Sequence, residues 1–136
     1  MKISPDLRKR LCKAAFMGGL FSVVVMTMTY LFAFLVAISE VGRAGFFIVG
    51  VPASFLVVAA SLGSLLVRQL PFFLSLPFFL LWDIFFWAFI FLLIRLFTDS
   101  FSRRTRLLVH VVTIAIIDLA GWYLFSQLLD AFARSG

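Results

Sequence analysis

Charge is what this sequence has least of. Only 13% of its 136 residues are Asp, Glu, Lys or Arg, while 64% are apolar. A water-soluble domain carries charge on about a quarter of its residues, so a globule that faces water on all sides is excluded. Cysteine occurs once, at Cys12. A lone thiol excludes an internal disulfide, a CxxC redox pair and a cysteine zinc site, and with them the disulfide-exchange enzymes of the four-helix membrane type. Histidine also occurs once, at His110. One imidazole cannot supply both axial ligands of a b-type haem, and no Cys or Glu stands at metal spacing from it. Nucleophile elbow, HExxH, P-loop and dinucleotide glycine patterns are all missing. The expectation is therefore no enzyme, no cofactor and no metal.

What is present is hydrocarbon. Apolar runs cover Phe16–Ile38, Phe46–Val67, Pro71–Ile94 and Leu107–Leu129, and about 20 apolar residues suffice for a helix to cross a bilayer core. None of the runs alternates as a barrel strand would. The sequence predicts an all-α polytopic membrane protein with four transmembrane helices. It divides into a basic amphipathic segment over 1–15, a transmembrane domain over 16–130 and a short polar tail over 131–136. The first run is too long for a signal-peptide core and no A-x-A site follows it, so it is expected to be kept.

Two acids interrupt the apolar runs. Asp118 lies eleven residues into the last run, about 17 Å deep. An Asp at that depth costs about 2.5–3.5 kcal/mol on insertion scales, so it should face another helix or a wet cavity. On its own helix it has Ile114, Ala115, Gly121 and Trp122 for neighbours, and Gly121 is where a second helix can approach. Asp83 is its natural companion. Its depth depends on whether the helix runs from Pro71, which puts it about 18 Å in, or restarts at Pro77, which makes it shallow. Three roles are open to the pair: a shared proton or cation site in a carrier, interhelical hydrogen bonds, or pairing with an Arg of a partner protein.

The second run carries Ala53, Val57, Ala60 and Ser64 at i, i+4, i+7 and i+11, with Ala59 and Gly63 beside them. Small residues let backbones approach in lipid, where no hydrophobic drive exists between helices. These positions, with Gly121, are the predicted helix-packing stripe. Elsewhere, His110, Trp82, Trp87, Trp122 and Tyr123 are expected at interfaces or in packing. Glu40 and Arg43 are placed to pair, as are Asp99 and Arg103 on a helical turn.

The basic residues flank the runs. Ser4, Pro5 and Asp6 make a helix start, followed by Arg8, Lys9, Arg10 and Lys13. A second cluster holds Arg103, Arg104 and Arg106. Both clusters suit anionic lipid or simply fix topology, and with no basic soluble domain present, nucleic acid is not an expected partner. Four crossings with a cytoplasmic N-terminus put seven basic residues inside and five outside, a weak bias. If Phe46–Ile94 crosses only once, with part of it re-entrant near Pro71 and Pro77, the split is nine against two.

Four spans in so short a chain invite comparison with small multidrug-resistance exporters and fluoride channels. The exporters carry a Glu within the first span, where this chain has only Thr27, Thr29 and Tyr30 as notable polar groups, and the channels rely on Asn, which this sequence lacks. The expectation is a small integral subunit or modulator of a larger assembly in a bacterial cytoplasmic membrane, its partners the lipid bilayer and other membrane subunits. The alternatives are a self-assembling proton- or cation-coupled transporter using Asp83 and Asp118, and a holin-like or toxin-immunity protein.

Overall fold

The computed structural model describes residues 3–39 and 42–136, with only the backbone of Phe72. It consists of four helices: α1 (Pro5–Ser39), α2 (Gly42–Val67), α3 (Phe72–Thr98) and α4 (Arg103–Ser135). Each is long and apolar enough to cross a membrane, and no strand occurs among the described residues. The protein is an all-α four-helix membrane fold.

The helix ends follow local chemistry. The Leu7 amide donates to Ser4 Oγ at 3.3 Å and the Arg8 amide to the Ser4 carbonyl at 3.0 Å, so Ser4 caps α1. Ser102 caps α4 in the same way, accepting from the Thr105 amide at 3.3 Å. At the end of α3, Arg106 reaches back to two carbonyls, Thr98 at 3.4 Å and Phe101 at 3.0 Å, and the Thr98 carbonyl also accepts from the Phe101 amide at 3.0 Å. α1 passes unbroken through residues 15 and 16, so the basic segment extends the first span instead of forming a separate helix. α3 likewise continues through Pro77. Asp83 therefore sits about 18 Å from Pro71, the deeper of its two predicted positions.

The packing is not that of an up-and-down bundle. α1 and α3 run antiparallel side by side: Arg10 meets Asp99, Gly18 meets Trp87 and Ser22 meets Asp83. α1 and α2 are also antiparallel, with Gly45 against Val36 and Phe21 against Phe55. So are α2 and α3, with Phe55 near Trp87 and Gly63 against Phe79. Three straight rods cannot all be aligned antiparallel to one another, so these helices cross at angles. α1 and α3 share contacts from Arg10–Asp99 to Ser22–Asp83, and α2 touches all three other helices. α4 then packs antiparallel on α2, from Phe46–Phe125 to Ser54–Asp118.

One consequence concerns charge. Because α3 returns alongside α1, the N-terminal basic residues and the α3–α4 connector lie at the same end of the molecule. The seven-against-five split would have put them on opposite sides of the membrane. Their shared end is a feature of helix packing, and all four helices remain long and apolar enough to cross a membrane. The physical basis of that shared end is the contact ladder between α1 and α3, which no count of charges along the sequence can supply.

The buried face of α2 also differs from the predicted stripe. Ala53, Ala59 and Gly63 are buried and Val57 is half-buried, but Ala60 and Ser64 are exposed. A single stripe assumes one neighbour, whereas α2 meets α4 and α1 with its first half and α3 with its second. Its proline, Pro52, is buried within that first half. In the second half the Trp82 indole donates to the Ala59 carbonyl at 2.8 Å and packs over Gly63.

Candidate functional site

Both intramembrane acids are held by a serine of a facing helix. Ser22 of α1 donates to Asp83 Oδ2 of α3 at 2.5 Å. Ser54 of α2 donates to Asp118 Oδ1 of α4, and the same hydroxyl contacts the Val51 carbonyl at 2.6 Å. Asp83 and Asp118 thus belong to two different helix pairs and do not form one hydrogen-bonded site.

The two pairs repeat one arrangement. Four residues before each serine is a glycine, and four residues after each aspartate is a tryptophan: Gly18/Ser22 with Asp83/Trp87, and Gly50/Ser54 with Asp118/Trp122. In antiparallel helices these spacings put the glycine of one helix opposite the tryptophan of the other. A Cβ on Gly18 would overlap the Trp87 carbonyl and lie 2.8 Å from Ala88 Cα, and one on Gly50 would overlap the Trp122 ring. At Gly121 the α2 backbone makes the close approach, the Ser54 carbonyl occupying the space a Cβ would need. The glycines are what permit a short serine side chain to reach an aspartate across a helix interface.

The repeat was readable in the sequence, as GGLFS beside GVPAS and DIFFW beside DLAGW. Periodicity within single runs did not reveal it, because the signal lies in matched spacings between runs. Ser22, Ser54, Gly18 and Gly50 were missed for that reason.

The surroundings of the two acids differ. Asp83 is 5% exposed, Ser22 and Trp87 are fully buried, and Phe21 packs edge-on against Trp87 with ring centres 4.7 Å apart. Asp83 Oδ1 and Trp87 Nε1 are nevertheless buried with no hydrogen-bond partner among the described residues. Asp83 also lines a cavity of about 260 Å³ with Thr29 and Tyr30. Asp118 and Trp122 are only half-buried, and Gly121 is the one buried residue of α4.

The basic residues converge elsewhere. Asp99 pairs with Arg95 at 3.0 Å and with Arg10 at 3.4 Å. The expected Asp99–Arg103 pair does not form, because α3 ends at Thr98 and Arg103 opens a new helix. Arg8, Lys9, Arg10, Lys13, Arg103 and Arg104 are exposed, and Arg106 is half-buried. His110 bonds the Arg106 carbonyl through Nδ1 at 2.8 Å and packs edge-on to Phe91. The Glu40–Arg43 pair lies outside the described residues. No protein-family model, curated protein or solved structure matches this chain, so the argument for function rests on the residues.

Proposed function

We propose that this protein is an accessory or assembly subunit of a larger membrane complex, and that α4 is the helix through which it docks. The observation that carries this reading is the half-buried carboxylate of Asp118 in the middle of an otherwise apolar helix. Hydrocarbon against its open side would be unfavourable, and a helix of another chain would relieve that. α4 as a whole has room for one. Only 6% of its most apolar stretch is buried, against 33% for α2. In this reading the N-terminus and the α3–α4 connector face the cytoplasm, since both basic clusters then obey the positive-inside rule. Purification from native membranes in mild detergent tests it. A co-purifying chain whose retention depends on Asp118 is the expected result, and a monodisperse protein carrying no other chain counts against it.

One observation favours a second reading, a proton- or cation-linked carrier. The unpaired Oδ1 belongs to Asp83, which lines a cavity. Flux measured in liposomes, abolished by Asp83→Asn, would support that role, and unchanged flux removes it.

A further inference from the structure

Where α1, α3 and α4 meet, near the N-terminal part of α1, they enclose an open cleft of about 690 Å³. Its rim is basic, with Arg10, Lys13, Arg95, Arg103 and Arg106 all lining it. The one carboxylate that balances them is Asp99, which pairs with Arg10 and Arg95. Arg106 is turned to the carbonyls of Thr98 and Phe101. Lys13 and Arg103 have no ion pair or hydrogen bond among the described residues. Arg95 Nε is buried with no hydrogen-bond partner among the described residues. The rim therefore holds an excess of cations, with two side chains uncommitted.

Below the rim the character changes. Ala14, Met17, Phe91, Leu107, Val111 and Ile114 line the remainder, together with His110, whose Nδ1 bonds the Arg106 carbonyl. Met17 is seven residues beyond Arg10 and Ile114 eight beyond Arg106, so the apolar part reaches about 10–12 Å from the charges along the helix axes. A soluble anion has no use for such a wall. A molecule with a phosphate at one end and a hydrocarbon chain at the other matches both halves, and basic pockets between membrane helices suit lipid headgroups.

We propose that this cleft binds an anionic phospholipid. Its phosphodiester sits between Lys13 and Arg103, and an acyl chain lies along Met17, Phe91, Val111 and Ile114. Arginine's planar fork suits the phosphate oxygens, and Lys13 adds a compact charge from the opposite helix. The cleft uses the first three turns of α4, from Arg103 to Ile114, and ends one turn before Asp118.

The test uses the full-length protein in neutral detergent, with phosphatidylglycerol, phosphatidylcholine and inorganic phosphate as probes and retained adducts read by native mass spectrometry. Phosphatidylglycerol should bind in preference to phosphatidylcholine. The double variant Lys13→Gln/Arg103→Gln should weaken it about thirtyfold, taking each basic group as contributing about 1 kcal/mol. Arg8→Gln/Arg104→Gln removes the same charge outside the cleft and should change binding little. Val111→Trp fills the apolar half while keeping every charge, and it too should weaken phosphatidylglycerol. Equal loss in the two charge variants would overturn the proposal in favour of general attraction. Inorganic phosphate competing at equal concentration would overturn it in favour of a simple anion site. No preference for the anionic lipid would overturn it outright.

Discussion

The two serine–aspartate clasps use the same four residue types and end in different states. In the α1/α3 clasp, serine, aspartate and tryptophan are all buried, and the helices touch at Gly18. In the α2/α4 clasp the glycine and serine are buried, while Asp118 and Trp122 keep an open side. The difference comes from what surrounds each pair. Phe55 of α2 closes over Trp87, whereas α4 packs chiefly against α2, touches α3 near Arg106 and His110, and leaves most of its surface uncovered. A closed clasp locks two helices of one chain together. An open clasp offers a polar group and a small-residue seam to something further.

Several substitutions break or sharpen that comparison. The largest effect is expected at the close approaches. Gly18→Ala puts a methyl group into the α3 backbone, and Gly121→Ala puts one into the α2 backbone, and overpacking of that kind costs about 1–3 kcal/mol. Gly19→Ala is the control, because its Cβ would meet only Ile84 Cγ2 at 3.5 Å, an ordinary contact. Unfolding titrations in mixed micelles should separate neighbouring glycines 18 and 19. Equal tolerance at both would remove the helix contact on which the first clasp depends.

Next come the acids. Asp83→Ala deletes a hydrogen bond inside a buried interface and leaves a void, and should destabilise the isolated protein by about 1–2 kcal/mol. Asp118→Ala should cost the isolated protein about 0.6 kcal/mol, because its site is already half open. Its larger effect should be on retention of a partner in native membranes. Asp118→Asn keeps an acceptor for Ser54, so partner loss with Asn would identify an Arg of the partner, left charged and unpaired. The smallest effects belong to the serines. Ser22→Ala should cost about 0.6 kcal/mol, near the average for such bonds in membranes. Ser54→Ala leaves Asp118 with an open side from which to find another partner, so its cost should be smaller still.

Much of the fold was legible in the sequence. The run Phe46–Val67 predicted α2 (Gly42–Val67), and Pro71–Ile94 predicted α3 (Phe72–Thr98), to within a turn. α1 begins well before its apolar run, because Arg8, Lys9, Arg10 and Lys13 are good helix formers that hydropathy does not register, and α4 extends past its run at both ends. The depth of Asp83 was undecided at Pro77, a proline close enough to the helix start for α3 to continue through it. Threading was not legible. It depends on which helices lie alongside one another, and the charges flanking the runs are nearly balanced. The partners of Asp83 and Asp118 lay 61 and 64 residues away, visible only as a repeat between runs.

The most direct test of the account compares matched positions beside the two acids. Ala115 and Leu80 each stand three residues before an aspartate, Asp118 and Asp83, and both are exposed. A photo-crosslinking amino acid placed at either position, in cells, reports what lies against it in the native membrane. The account predicts a discrete protein adduct from position 115 that disappears with Asp118→Leu, and no protein adduct from position 80. Lipid adducts alone from position 115, or the same adduct from both, would contradict the claim that the open clasp is where another chain docks.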